Sequence, residues 1–210
     1  MNYKNITNNT RERRFITYPF CYWDNAFSSE EIDRMCNHVI YDIDNIQDGT
    51  VFSQRESQSA QGRKSKVNFF YKNENTEWFF NKLNYYINEL NNNYYNFDIN
   101  GYDAIQYTEY HSSVLGKYDW HMDTFISDQI PENEIDTRKL SAIVLASEPG
   151  KDFTGGDFQL NIGSEQNPAS ILMHKGKLII FPSFLIHRVT PVTQGIRKSF
   201  VVWVTGPKFR

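Results

Sequence analysis

Two amphipathic helical stripes in the first half of the chain and eight short β-like runs in the second predict an α+β protein whose core is mainly β. The architecture they imply is a double-stranded β-helix, or jelly roll, of eight core strands backed by N-terminal helices. The 210 residues suit one domain, with helical support over about 1–100 and the jelly-roll core over about 101–206. Hydrophobic residues make up 40% of the chain and aromatic residues 16%, too much for a disordered segment and enough for a packed core.

The first helix opens at Ser28-Ser29-Glu30-Glu31, where Ser28 can cap and Glu31 can reach back, the capping-box arrangement. Ile32, Met35, Cys36, Val39 and Ile40 then follow helical spacing. The second helix starts near Thr76, with Phe79, Leu83, Ile87, Leu90 and Tyr94 as its apolar stripe, and the run Asn91-Asn92-Asn93 is expected to end it. Between them, Gln47 to Lys66 is polar and reads as one long loop, for which a lid and plain disorder both stand open. From Tyr102 the pattern changes to β-branched and aromatic runs punctuated by Gly, Pro, Asp and Asn. The expected strands are 102–110, 118–123, 139–147, 157–162, 169–173, 177–182, 185–190 and 197–205. Gly155-Gly156 and Lys175-Gly176 mark tight turns between them.

Charge and cysteine content narrow the function classes. With 22 basic and 25 acidic residues the formal net charge is −3, so binding to nucleic acid through a general positive field is disfavoured. Cys21 and Cys36 cannot make a disulfide scaffold, match no zinc-site spacing, and read as free buried thiols. The N-terminus has no apolar targeting segment, and no window approaches the roughly 20 apolar residues of a membrane span. A soluble, cytoplasmic protein with no membrane partner is expected.

Of the five histidines, His38 reads as a helix-surface or packing residue, and His111 and His174, beside turns, read as solvated. His121 and His187 differ. His121 is followed at the second position by Asp123, and residues two apart on a strand face the same way; Asp119 shares that parity. In an eight-stranded double Greek key the second strand lies beside the seventh, which brings His187 to the His121/Asp123 pair. Two imidazoles and one carboxylate on one face, with positions left open, form the facial arrangement that suits non-heme Fe(II). Arg197, ten residues after His187, offers a guanidinium able to hold a carboxylate bidentately.

Three stretches carry a family resemblance: Tyr118-Asp119-Trp120-His121-Met122-Asp123; Phe181-Pro182-Ser183 through His187 to Val189-Thr190-Pro191-Val192; and Gly195-Ile196-Arg197-Lys198-Ser199 through Trp203. With Gly155-Gly156-Asp157-Phe158, the pattern resembles the 2-oxoglutarate- and Fe(II)-dependent dioxygenases, on the prolyl 4-hydroxylase-like, PKHD-type side. The resemblance spans about residues 65 to 205. It implies that His121, Asp123 and His187 are iron ligands and that Arg197 binds the distal carboxylate of 2-oxoglutarate. Tyr110 would help to hold that carboxylate, with Tyr107 as the alternative, and Trp203 would wall the pocket. It further implies Fe(II), 2-oxoglutarate and O2 as cofactor and co-substrates, with ascorbate as a reductant. The implied activity is hydroxylation of an acceptor C–H bond coupled to decarboxylation of 2-oxoglutarate to succinate and CO2. A peptidyl prolyl or other amino-acid residue is the favoured acceptor, in a peptide or protein partner.

Two other classes compete. A nucleobase hydroxylase or demethylase would draw on the local basic cluster Arg55, Arg63, Lys64 and Lys66. A non-catalytic jelly-roll binding module would have to carry His121, Asp123, His187 and Arg197 for no purpose. A zinc hydrolase is weaker still, because no helical His-Glu-x-x-His pair exists.

Overall fold

The computed structural model describes residues 18–40, 47–49, 62–102, 104–124, 136–164 and 166–209. In chain order the strands are β1 (Cys21–Trp23), β2 (Gln47–Asp48), β3 (Arg63–Lys64), β4 (Lys66–Phe70), β5 (Ile105–His111), β6 (Lys117–His121) and β7 (Asp136–Leu145). They continue as β8 (Phe153–Gly155), β9 (Phe158–Leu160), β10 (Ala169–Ile171), β11 (Leu178–Pro182), β12 (His187–Val189) and β13 (Val192–Pro207). The α-helices are α1 (Ser29–Ile40) and α2 (Glu77–Leu90).

The strands form two sheets. The larger runs β1-β11-β7-β13-β5-β4-β2, with β8 joined to the start of β13, and the smaller runs β10-β9-β12-β6-β3. Neither closes on itself, and together they make a jelly-roll β-sandwich. All eight expected strands are present. The last begins at Val192 rather than Arg197, because Val192 to Gly195 pair with β8 before the strand continues between β5 and β7.

Strand parity sorts the core into two layers. On β11, Leu178 and Ile180 face the helices while Ile179 and Phe181 face the smaller sheet. On β13, Phe200, Val202 and Val204 join the helix layer. The run Leu178–Pro182 is therefore buried on both faces, which is why it reads as unbroken apolar sequence.

The helices seal the outer face of the larger sheet. Ser28 Oγ accepts from the Glu31 N–H and the Glu31 carboxylate accepts from the Ser28 N–H, the expected capping box. Ile32, Met35, Cys36 and Val39 are buried, as are Phe79, Leu83, Ile87 and Leu90 of α2. Lys82 joins α2 to Glu31 of α1 at 2.6 Å. Phe79 is fully buried and its ring meets Phe27, Phe70 and Phe200, so one side chain ties α2 to the chain before α1 and to two strands.

Three expectations are corrected. The α-helix ends at Leu90, where the asparagine run begins, but the expected stripe does not reach Tyr94: Asn91 to Tyr95 form a π-helical turn, which Asn96, at φ 52°, stops. The cause is Asn91, buried, whose side chain accepts from the Phe97 N–H and donates to the Phe97 carbonyl, replacing lost helix bonds. The turn rotates Tyr94 outward, off the stripe, and lets the Tyr95 hydroxyl donate to the Ile180 carbonyl. The segment Gln47–Lys66 is not a single loop. Its described ends are strands: β2 pairs with β4 and β3 with β6, with Lys66 and Asp48 2.6 Å apart. The remainder, including Arg55, lies outside the described residues. The first hundred residues are likewise not purely helical, since they contribute β1 to β4.

Among the described residues no helix is long and apolar enough to cross a membrane. Both cysteines are free and buried, as expected, and burial pushes the Cys36 thiol up to about 12.

Replacing Phe79 with Ala is expected to cost about 3–5 kcal/mol, the range for truncating a buried aromatic. Lys151→Ala on an exposed turn should change stability by less than about 0.5 kcal/mol. Urea denaturation followed by tryptophan fluorescence measures both; equal midpoints would contradict the role of Phe79.

Candidate metal centre

β6 and β12 run antiparallel with His121 directly opposite His187. Two residues on, Val189 faces Tyr118, so β6 spends three residues where β12 spends two. That bulge breaks strict alternation. Tyr118 and His121, three apart, therefore stack face to face, their ring centroids 3.5 Å apart and 13° from parallel. Asp119 and Lys117 pair with each other on the exposed surface.

Asp123 reaches the two histidines by another route than the expected strand parity. β6 ends at His121, and the chain bends. The Asp123 and Thr124 N–H groups both donate to the Ser183 carbonyl, at 2.8 and 3.1 Å, while the Ser183 N–H donates to the Lys139 carbonyl. The turn between β11 and β12 thus draws Asp123 inward. Its carboxylate oxygens lie 3.6 Å from His121 Nε2 and 3.5 Å from His187 Nε2. One ligand atom from each of the three residues falls within 4.8 Å of the others.

Hydrogen bonds fix each of these groups. His121 Nδ1 lies 2.7 Å from the Asp119 carbonyl and His187 Nδ1 2.8 Å from the Leu185 carbonyl. With each Nδ1 donating, each Nε2 is left with a lone pair turned to the centre. Ser141 Oγ donates to the Asp123 carboxylate at 2.6 Å and is 3.0 Å from Ser183 Oγ. Burial, and then the proximity of His187, push His121 down to about 3, so its ring is neutral near neutral pH. Burial opposes ionisation of Asp123, but His187, His121, the Ser141 hydroxyl and Arg138 outweigh it and hold the carboxyl below its ordinary value. A neutral His121 imidazole beside an ionised Asp123 carboxylate matches the ligand states a divalent cation requires.

Arg197 lies in the same sandwich interior and is 2% exposed. It sits opposite Tyr110 across β13 and β5, its guanidinium 5.5 Å from the Tyr110 ring, and it donates to Ser199 Oγ at 3.2 Å. Gly156, at φ 65°, packs so closely that a Cβ there would lie 2.9 Å from Arg197 Cδ. Among the described residues no carboxylate forms an ion pair with Arg197. A guanidinium buried without an ion-pair partner is costly, and Tyr110 and the more distant charge of Asp157 only partly offset that cost. Tyr110 belongs to the core layer that includes Phe158 and Phe181, whose rings touch His187.

Tyr107 is not an alternative to Tyr110. It faces the helix layer, where its hydroxyl donates to Glu109 at 2.7 Å, because residues three apart on a regular strand point to opposite faces. Trp203 shares the parity of Arg197 on β13. Its ring lies 4.0 Å beneath the Arg138 guanidinium, and its indole N–H is buried with no acceptor among the described residues. His111 and His174, expected to be solvated, are half-buried beside Glu109 and Asp24. The basic cluster is divided: Arg63 is buried against Tyr118, Lys66 is paired with Asp48, and no continuous basic face forms among the described members.

Ser141 and Ser183 were not foreseen. Ser141 left a signal, a lone hydroxyl inside the apolar run Leu140–Leu145. Arg138 and Tyr118 left none, because their contacts depend on the bend after His121 and on the bulge.

Residues 105–205 match the family model described as the 2OG-Fe(II) oxygenase superfamily. A PKHD-type hydroxylase of Colwellia psychrerythraea is 32% identical over 93 residues, which are 44% of this chain and 39% of that protein. The chain therefore spans about two-fifths of the length of the curated relatives it matches. Among solved structures, a Pseudomonas putida prolyl-4-hydroxylase superposes with a TM-score of 0.67 at 16% identity, covering 91% of this chain and 95% of that one. A prolyl hydroxylase from Trichoplax adhaerens, in complex with a hypoxia inducible factor oxygen degradation domain peptide fragment, gives 0.68 at 18% identity, over 90% and 84%. The matched segment contains the two histidines, the aspartate and the arginine described above. Through residues 105–205, just under half of its length, the chain is similar to the 2OG-Fe(II) oxygenase superfamily, and it shares its fold with the solved prolyl hydroxylases.

Proposed function

We propose that this protein is a dioxygenase that uses Fe(II), 2-oxoglutarate and O2 to hydroxylate a C–H bond of an amino-acid residue in a peptide or protein, a prolyl residue first among them. The observation that carries the reading is one sandwich interior holding both a His121/Asp123/His187 cluster within 4.8 Å and the buried Arg197 guanidinium, which forms no ion pair among the described residues. Either feature alone has an ordinary structural explanation. Together they supply both halves of what the co-substrate needs.

The residues divide the work. His121, Asp123 and His187 would hold Fe(II), their spare ring nitrogens and the Asp123 carboxylate already anchored to backbone carbonyls and to Ser141. Arg197 would take the far carboxylate of 2-oxoglutarate, with Tyr110 at its side and Gly156 restricting its movement. Trp203, capped by Arg138, would close the wall of the pocket and offer its free indole N–H to whatever enters. With the metal bound, the site supplies oxidative decarboxylation of 2-oxoglutarate to succinate and CO2, coupled to hydroxylation of the acceptor. Phe158 and Phe181 pack against His187 and keep water from that side of the centre. Residues 18–102 would serve as the platform for this sandwich within one unit. A peptide acceptor is supported by the similarity to PKHD-type hydroxylases and by the peptide held by the Trichoplax adhaerens neighbour. Division of the basic cluster's described members, with Arg63 buried against Tyr118 and Lys66 paired with Asp48, weakens the support for a nucleobase acceptor.

Replacing His187 or Asp123 with Ala is expected to abolish tight Fe(II) binding in anaerobic calorimetry and to cut 2-oxoglutarate-dependent succinate formation by about 100-fold or more. Full turnover by both variants would overturn the metal assignment. For Arg197→Ala the expectation is a 10- to 100-fold higher requirement for 2-oxoglutarate, about 1.5–3 kcal/mol for a lost charge-assisted bond, with Fe(II) affinity kept. An unchanged requirement would remove Arg197 from the co-substrate site. Proline-containing peptides should raise succinate formation above the uncoupled level; stimulation by methylated oligonucleotides alone would reverse the choice of acceptor.

A further inference from the structure

The two imidazoles are held differently. His187 is gripped by core rings, Phe181 edge-on at 4.8 Å and Phe158 at 5.8 Å. His121 lies at the end of β6, and its flat face is covered by Tyr118 at 3.5 Å. The guanidinium of Arg63 lies over the Tyr118 ring at 4.6 Å. Arg63 comes from β3, the edge strand of the smaller sheet, and stands opposite Tyr118 in the β3–β6 pairing.

Arg63 is itself fastened. It is 8% exposed, and its Nε donates to Ser65 Oγ at 2.8 Å. The Gly49 N–H donates to the Ser65 carbonyl at 2.7 Å. Gly49 approaches so closely that a Cβ there would strike Ser65 Oγ and Arg63 Nε. The stack thus runs from Gly49, across two strands, to the ring of a metal-ligand candidate. A carbonyl at Nδ1 fixes one in-plane direction of an imidazole but leaves its tilt free, and a stacked ring removes that tilt. A planar cation over an outer aromatic face adds attraction that holds the aromatic ring in place.

We propose that Arg63 and Tyr118 are positioning residues that set the plane of the His121 imidazole for the metal, so that docking of β3 onto β6 controls metal affinity. The proposal rests on the metal reading given above. It also assigns a task to the end of the segment 47–66: its last strand braces a ligand from outside the site.

The test uses the full chain. Co(II), as the metal alone, is titrated into wild type, Arg63→Ala, Arg63→Lys, Tyr118→Leu and Tyr118→Phe. The imidazole protons of His121 are followed by NMR in the metal-free proteins. Near-UV circular dichroism checks that each variant is folded, and Arg34→Ala, which removes a comparable contact with Trp78 on α2, serves as the control. Arg63→Ala and Tyr118→Leu should weaken Co(II) binding about 10-fold or more, the usual cost of losing a residue that orients a ligand. Tyr118→Phe and Arg34→Ala should bind as wild type does, and Arg63→Lys should fall between. The His121 protons should sit upfield in wild type and in Tyr118→Phe, and lose that ring-current shift in Tyr118→Leu. Wild-type affinity in both Arg63→Ala and Tyr118→Leu, or equal loss in Tyr118→Phe and Tyr118→Leu, would overturn the proposal. Should wild type itself bind no Co(II), the metal reading fails, and an absent ring-current shift would separately overturn the stack.

Discussion

The pairing of β6 with β12 is the constraint on which the rest of the molecule depends. It sets His121 opposite His187, from positions 66 residues apart in the chain, and the bulge within it turns Tyr118 and His121 to the same side. A bulge costs local pairing but re-aims a side chain. Without it Tyr118 would project to the opposite face from His121 and could not cover its ring. The turn between β11 and β12 then acts from the opposite side, receiving the Asp123 and Thr124 N–H groups on one carbonyl.

Around that pairing the sandwich holds charges that an apolar core ordinarily rejects. Asp123 and Arg197 are both nearly fully buried, and they are not each other's partner. The Asp123 carboxylate accepts from the Ser141 hydroxyl, and its backbone N–H is anchored on the Ser183 carbonyl. Arg197 is only partly satisfied, by Ser199 and the Tyr110 ring. A guanidinium so buried, with no ion pair among the described residues, is costly. Binding an anion beside a cation removes that cost, which links stability to occupancy of the site.

The outer layer supplies the stiffness such a site demands. Phe27, Phe70, Phe79 and Phe200 form a connected aromatic layer between helices and larger sheet, and β11 is buried on both faces. Among the described residues the smaller sheet has β3 at one edge, and Arg63 on that strand reaches inward to Tyr118 beside His121.

Much of this was legible in the sequence because it is written in local periodicity. The helical stripes of α1 and α2, the capping box at Ser28, the eight core strands and the spacing of His121, Asp123, His187 and Arg197 all follow from residue type and interval. What tertiary structure alone decided has no period. Strand alternation placed His121 with Asp123, yet a bulge and a bend bring them together, and both arise where β6 meets β12 and Ser183. The choice of Tyr110 over Tyr107 needed the knowledge of which face of β5 looks into the sandwich. Asn91 opened a π-helical turn because its amide found Phe97, and the ends of the polar segment became strands because β4 and β6 offered free edges. Periodicity records which face of an element is buried, whereas ligand geometry depends on contacts between residues far apart in the chain, which no local pattern encodes.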